Sequence, residues 1–419
     1  MAAASHLAVL LEGRYAADLR RTRSGVLRLD YLDEARTPGA TPLSLSLPTS
    51  EPTHSGNAVE RFVRGLVPDH PGALRAIARR HGVDADDVLQ VLAAIGKDCA
   101  GAVQFCPAHE VDITIERAGT LEECTTSDIE MRLAEMDTDE NAAWTMAGEH
   151  WSLGGTQQKI AVRREAEGWY VAQGAAATTH IIKPGIRRMA AQALVEHVSM
   201  RAARLLGVDV ADTEFRSFRS EDAIVVTRFD RRRRTDGTVE RLHQEDLCQA
   251  LGNAEKYEEF GGPSPIEIVA LLRDAAATAA VARRNVDRFV DGLVFNSVVA
   301  APDAHARNYA VLLSGDDVEL APLYDVASGL AYDIQPGSRR ALSMSVGGTF
   351  DADSITADHW AEFAESARLD ADKLIERVDA MRHEAPDAFA TALDEIDDVD
   401  GHATALRARL LPALEARAH

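Results

Sequence analysis

Asp303-Ala-His305-Ala-Arg307-Asn308, followed seventeen residues after Asn308 by Asp325 in Ala-Pro-Leu-Tyr-Asp-Val, constrains this chain more than any other stretch. The pattern is an Asp, an Asn five residues on, and a second Asp just after a short strand-like run. That spacing suits phosphoryl transfer from Mg-ATP, in which one carboxylate orients the acceptor hydroxyl while an amide oxygen and a second carboxylate hold the metal. A chain with 67 acidic residues also places Asp and Asn in loops simply as turn caps. The upstream text has to decide between the two.

Ser152-Leu153-Gly154-Gly155-Thr156-Gln157-Gln158-Lys159 lies between two strand-like runs. Glycines there let backbone N–H groups approach phosphate oxygens, and the loop ends in a cation; a plain hairpin turn is the competing reading, since this is neither a Walker loop nor GxGxxG. Twenty-four residues beyond Lys159, Thr-Thr-His180-Ile-Ile-Lys183 reads as a strand with Lys183 and Ile181 on one face and His180, Ile182 and Pro184 on the other. Thirteen residues later Glu196 falls in a helix predicted over 187–206 and closed at Gly207, where it suits a phosphate-positioning ion pair with Lys183. Ile224-Val-Val-Thr227-Arg-Phe229 reads as a strand at a hinge, with backbone groups for adenine and Phe229 to stack on it, or else as an ordinary interior strand. Gly-rich loop, strand Lys, helical Glu, hinge, Asp-x-x-x-x-Asn and strand-following Asp come in the order that phosphoryl transfer needs.

Composition fits a soluble chain of two or three domains: 419 residues, 46% hydrophobic and 27% charged. A formal charge of −22 repels phosphate backbones and anionic lipid, so nucleic-acid binding would need a local basic patch or a basic partner. Four cysteines without CxxC spacing read as reduced, buried thiols. The amino terminus lacks a basic segment before its short apolar run, and no apolar stretch reaches membrane length; a cytoplasmic protein with no membrane role is expected. Residues 7–47 read as a meandering sheet, 57–64 and 86–95 as helices, and the acidic segment 119–149 as a linker leading into a partly helical crossover. Residues 267–284 and a section containing Trp360 are predicted helical, and Arg231–Arg234 is predicted to be a solvated hairpin tip.

Taken together, these motifs resemble the HipA-like kinases, the toxin halves of bacterial toxin–antitoxin pairs. The matching text is Ser152–Lys159, Thr179–Lys183, Glu196, Thr227-Arg-Phe-Asp-Arg231, His243-Gln-Glu-Asp246-Leu-Cys-Gln, Asp303–Asn308, Pro322-Leu-Tyr-Asp325 and Gly96-Lys-Asp-Cys-Ala-Gly. The resemblance implies an α+β, two-lobed protein-kinase-like fold: an N-terminal subdomain over 1–110, an N-lobe over 111–229 and a helical C-lobe over 230–419. It implies ATP and Mg²⁺ as cofactors, Asp303 as the catalytic base, and Asn308 and Asp325 as metal ligands. Nucleotide binding would fall to Leu153, Gly154, Gly155, Thr156, Gln157, Gln158, Lys159, Lys183, Glu196, Thr227, Phe229, His305 and Arg307. Ser152 would be a site of autophosphorylation that expels the phosphate loop. Expected partners are a HipB-like helix-turn-helix antitoxin, which carries the DNA contact, and a substrate such as an aminoacyl-tRNA synthetase. The chain departs from the family in Arg307, where Lys is usual, and in Ala-Ala-Pro302 before Asp303; Arg keeps the charge in a planar, bulkier form. A kinase-fold corepressor holding the antitoxin on operator DNA, and a small-molecule kinase, are the alternative readings.

Overall fold

The apolar alternation that begins at Leu7 becomes three antiparallel strands, β1 (His6–Leu11), β2 (Arg14–Arg21) and β3 (Leu27–Tyr31), extended by β4 (Thr53–Ser55). The computed structural model describes residues 6–139, 141–146, 148–335 and 337–418. Helices α1 (Asn57–Gly65), α2 (Pro71–His81) and α3 (Val88–Ile95) follow, and α2 starts where Pro71 meets a His70 cap whose Nδ1 accepts the Ala73 N–H at 3.1 Å. After β5 (Asp98–Cys99), β6 (Val103–Cys106) closes a sheet of order β4-β3-β2-β1-β6. Val59, Phe62 and Val63 of α1 and Val88, Leu89, Val91 and Leu92 of α3 are buried in its core, so the helical spacing read from sequence is the buried stripe.

Residues 119–149 open on a strand where a linker was expected, and the expected helical part follows it. Beyond α4 (Val111–Ile115) come β7 (Leu121–Cys124) and α5 (Thr126–Thr138), the latter opened by a Thr125–Asp128 capping box. Ile129, Leu133, Met136 and Trp144 are buried, and the Arg132 guanidinium is bound bidentately by Glu149 at 2.7 and 3.1 Å. The two-residue β8 (Trp151–Ser152) runs parallel to β5. Strands β9 (Ile160–Glu165), β10 (Gly168–Ala172), β11 (His180–Pro184), β12 (Thr213–Phe218) and β13 (Glu221–Thr227) form a second sheet of order β12-β13-β11-β9-β10-β7. One hydrophobic cluster contains residues from Leu7 to Val225 and so serves both sheets.

The chain divides into two compact units, one of Met1–Pro184, Arg216–Glu245 and Leu312–Asp317, the other of Gly185–Phe215, Asp246–Val311 and Val318–His419. In the second, α6 (Gln192–Leu205) begins five residues later than the predicted 187, because Ala191 adopts φ +54° outside the helical region. A short α7 (Leu247–Ala250) precedes α8 (Pro265–Asp274) and α9 (Ala279–Val298), which break the Ala-rich run at the Thr278 cap. The terminal helices α10 (Ala357–Ser366), α11 (Ala371–Asp394) and α12 (His402–Glu415) bury Trp360 and stack Phe389 on Phe295 at 6.4 Å. All four cysteines are free and buried. Among the described residues no helix is long and apolar enough to cross a membrane.

Candidate active site

Helix α9 leads into the loop that carries Asp303 and Asn308. It is buried from Phe289 onward, caps at Val299, and turns through Ala300 at φ +49°, with the Ala301 N–H returning to the Asn296 carbonyl at 2.8 Å. The Asp303 carbonyl then accepts two bonds, from the His305 N–H at 2.9 Å and from the Asn308 side-chain nitrogen at 2.6 Å. The Asp303 side chain itself is 60% exposed. Its Oδ1 accepts the Tyr257 hydroxyl at 2.6 Å and lies 3.8 Å from His305 Nε2. His305 is buried, and that burial draws its imidazole below the ordinary range; its side chain is 5% exposed, so of the two groups it is the Asp303 carboxylate that a group from solvent can reach. Tyr309 anchors the far end of the loop through Asn296 at 2.6 Å and an edge contact with Phe289.

A two-strand return, Ala310–Ser314 and Asp317–Leu320, separates Asn308 from Asp325. Backbone bonds from Ala211 to Leu323 (2.9 Å) and from Leu323 to Asp209 (2.8 Å) fix the strand end, and the Tyr324 hydroxyl donates to the Arg307 carbonyl at 2.7 Å. Asp325 then adopts φ +62°, a left-handed conformation that Asp tolerates better than most residues and that clusters at functional sites. A magnesium ion fits this pair. The amide nitrogen of Asn308 is spent on Asp303, so the amide oxygen is the atom left to ligate, and amide plus carboxylate oxygens are hard donors. No group of three or more His, Cys, Asp or Glu among the described residues is arranged to hold a metal.

The first unit holds the predicted residues of 152–159, Lys183, Thr227 and Phe229, and the second holds Glu196. Ser152 is fully buried, with its hydroxyl donating to the Leu66 carbonyl at 2.7 Å. At Gly154 a Cβ would stand 2.6 Å from the Gly65 carbonyl, and Gly155 sits at φ +101°, so the loop conformation excludes side chains at both positions. Lys159, the cation that ends the loop, is 7% exposed, donates to the Gly154 carbonyl at 2.6 Å, and lies 5.0 Å over the Trp144 ring. Its ammonium braces the loop from within. Gln157 and Gln158 donate to the Pro184 and Asp139 carbonyls, Leu153 is buried, and Thr156 is exposed.

Lys183 is buried on β11, between β9 and β13 and in register with Ile224, and Glu196 is buried on α6, where Gln192 donates to it at 3.4 Å. Both side chains are out of solvent, Lys183 at 6% and Glu196 at 1% exposed, where a charge is stable only beside compensating groups. Thr227 pairs with His180, and Phe229 is half-buried. The hinge-like strand is locked by its neighbours. Arg228 binds Asp230, Thr178 and the Cys99 carbonyl at 2.8–3.0 Å. Arg231 is not part of a solvated tip: its side chain is 1% exposed and bound to Asp98 and Asp230 at 2.9 Å, whereas Arg232, Arg233 and Arg234 are exposed.

Residues 7–106 match the model of the HipA N-terminal domain, and residues 151–389 match that of the HipA-like C-terminal domain. The chain belongs to the HipA-like kinase family. HipA-like relatives align along most of its length. It is 31% identical over 404 residues to the putative kinase Y4mE of Sinorhizobium fredii, covering 94% of this chain and 93% of that one. It is 28% identical over 375 residues to the serine/threonine-protein kinase toxin HipA of Shewanella oneidensis, covering 86% and 82%. A chain in the structure of the Shewanella oneidensis MR-1 toxin–antitoxin system HipA, HipB and its operator DNA superposes with a TM-score of 0.81 at 24% identity, over 98% of this chain and 97% of that one. That likeness establishes the α+β, kinase-like fold.

Proposed function

We propose that this HipA-like chain is an ATP- and Mg²⁺-dependent serine/threonine protein kinase that acts in the cytoplasm as the toxin of a toxin–antitoxin pair. One observation carries the reading: a single backbone carbonyl, that of Asp303, fixes both the Asn308 amide and the loop from which the exposed Asp303 carboxylate projects. Asp303 orients the acceptor hydroxyl and takes its proton, and Asn308 and Asp325 hold the cation by their oxygens. Lys183, Glu196 and Arg307 set the charge at the phosphates; His305, buried, shapes the loop. The 153–159 backbone cradles the phosphates, with Lys159 as its internal brace, and the Thr227–Phe229 backbone meets adenine. Bound Mg-ATP supplies the transferable phosphoryl group and the charge that stabilises its passage.

Acceptors are translation components such as aminoacyl-tRNA synthetases, and the partner is a HipB-like helix-turn-helix antitoxin that makes the DNA contact. Ser152 is the point of self-control. Its site has no exposed surface, so a phosphate of roughly −1.5 to −2 charges cannot be housed there with the loop in place. Incubation of wild type and Asp303→Ala with Mg-ATP and purified aminoacyl-tRNA synthetases, followed by mass spectrometry, tests the reading. Phosphoserine or phosphothreonine on an acceptor, and phosphate on Ser152, appear with wild type alone. Equal labelling with Asp303→Ala, or none with either, refutes it.

A further inference from the structure

Tyr257 lies forty-six residues before Asp303, in a segment the phosphoryl-transfer motif does not include, yet its hydroxyl reaches the Asp303 carboxylate at 2.6 Å. Among the described residues it gives the one side-chain hydrogen bond that Asp303 receives. The segment around it is built to hold it. The Tyr257 carbonyl accepts the Phe260 and Gly262 N–H groups at 3.1 and 2.9 Å, and its own N–H donates to Glu255 at 3.2 Å. A Cβ on Gly262 would stand 2.7 Å from the Tyr257 carbonyl carbon and oxygen, so the return needs glycine. Glu258 ties the same turn to Ser345 through two bonds of 2.6 and 2.8 Å. The phenol ring meets the buried His305 ring edge-on at 5.1 Å, within the catalytic loop itself.

We infer that Tyr257 is a positioning residue for the base: its hydroxyl fixes Oδ1 of Asp303 and so presents Oδ2 to the acceptor hydroxyl. This rests on Asp303 being that base. A carboxylate whose side chain is 60% exposed rotates freely about its last torsion, and a base effective at one angle is then correctly aimed for only part of the time. A short hydrogen bond to a charged oxygen is among the stronger single contacts available to restrain it. Burial and the neighbouring Asp303 charge push the Tyr257 phenol further above its already high range, so it remains a donor throughout the pH range of activity. The acceptor keeps the second oxygen, and no step requires Tyr257 to leave.

Tyr257→Phe removes the one hydroxyl and keeps the ring against His305. With Mg-ATP and dephosphorylated casein as a generic acceptor, kcat is expected to fall about 10- to 100-fold, with KM for ATP within about twofold and the melting temperature unchanged. In an Asp303→Asn background the same change is expected to do nothing further, since both act through one side chain. Unchanged kcat in Tyr257→Phe, when Asp303→Asn is inactive, overturns the role of Tyr257 and leaves the base assignment standing. A raised kcat overturns it as well, by showing that the phenol blocks the acceptor. Wild-type turnover in Asp303→Asn itself overturns the base assignment and this inference together.

Discussion

Asp98 and Asp303 are the same side chain put to opposite uses. Asp98 is 2% exposed and accepts from Arg231 and Arg241 at 2.9 Å and from Thr178 at 3.0 and 2.7 Å, with Arg228 at 3.4 Å. Burial alone would raise its carboxyl, but Arg231, Arg241 and Arg228 hold it well below the usual carboxylate range. Asp230, 3% exposed, completes the set, accepting from Arg228 and from the Gly101 N–H at 2.7 Å. Both oxygens of Asp98 are committed. Asp303 is 60% exposed and receives one side-chain hydrogen bond. A carboxylate saturated by guanidinium groups cannot receive a proton from a substrate; one anchored by its backbone and a single phenol can. An acid that holds the fold is thereby set apart from the acid proposed for the chemistry, although both are aspartates of the same sequence.

The largest effect expected is at Asp325. Replacing it by Asn keeps the size and the tolerance for positive φ but removes a metal-ligand charge, so turnover should fall by about three orders of magnitude or more, with thermal melting close to wild type. Steady-state turnover and calorimetry on the same preparation check it. Next is Asp98→Asn, which leaves Arg228 and Arg231 sharing Asp230 and Arg241 with the Ala175 carbonyl in place of a carboxylate; a cost of roughly 3–5 kcal/mol is expected in denaturant unfolding. A loss under 1 kcal/mol would break the contrast with Asp303.

Smaller is a pH effect at His243, which is buried with Nε2 3.0 Å from the Leu43 carbonyl and whose pKa burial lowers to about 4. Its unfolded value is near 6.5, so between the two the unfolded chain binds the extra proton and stability falls as pH falls. The contribution is fully present above pH 6.5 and declines to nothing near pH 4, roughly 3 kcal/mol in all. His243→Gln should flatten that part of the unfolding profile measured from pH 7 to 4; an unaltered slope would assign it elsewhere.

The strand before Asp325 was legible from its apolar run, although the structure makes it two strands, Ala310–Ser314 and Asp317–Leu320, where the text suggested one. Lys183 on a strand face was legible from the two-residue period alone. Tyr257 was not, because its partner is set by how two distant turns pack, and nothing local marks a tyrosine that will meet a carboxylate. Arg231 was misread because a run of four arginines carries no sign of which one turns inward. Its proximity to Asp230, and the separate Asp98, mattered more than the run. The segment 119–149 did contain a signal of its helical part: Ile129, Leu133 and Met136 stand at helical spacing. Lys159 shows the limit of reading a cation at the end of a loop, since the length that lets it reach a ligand also lets it fold back onto Gly154.

The central claim is that exposure and bonding, not charge, divide the acids of this chain into those for chemistry and those for the fold. It is tested most directly by measuring Mg-ATP turnover and unfolding free energy side by side for Asp303→Asn and Asp98→Asn. The account predicts that Asp303→Asn loses turnover by several orders of magnitude at wild-type stability, while Asp98→Asn loses stability and keeps most of its turnover at a temperature where it remains folded. Near-wild-type turnover in Asp303→Asn, or an Asp98→Asn protein as stable as wild type, would contradict it.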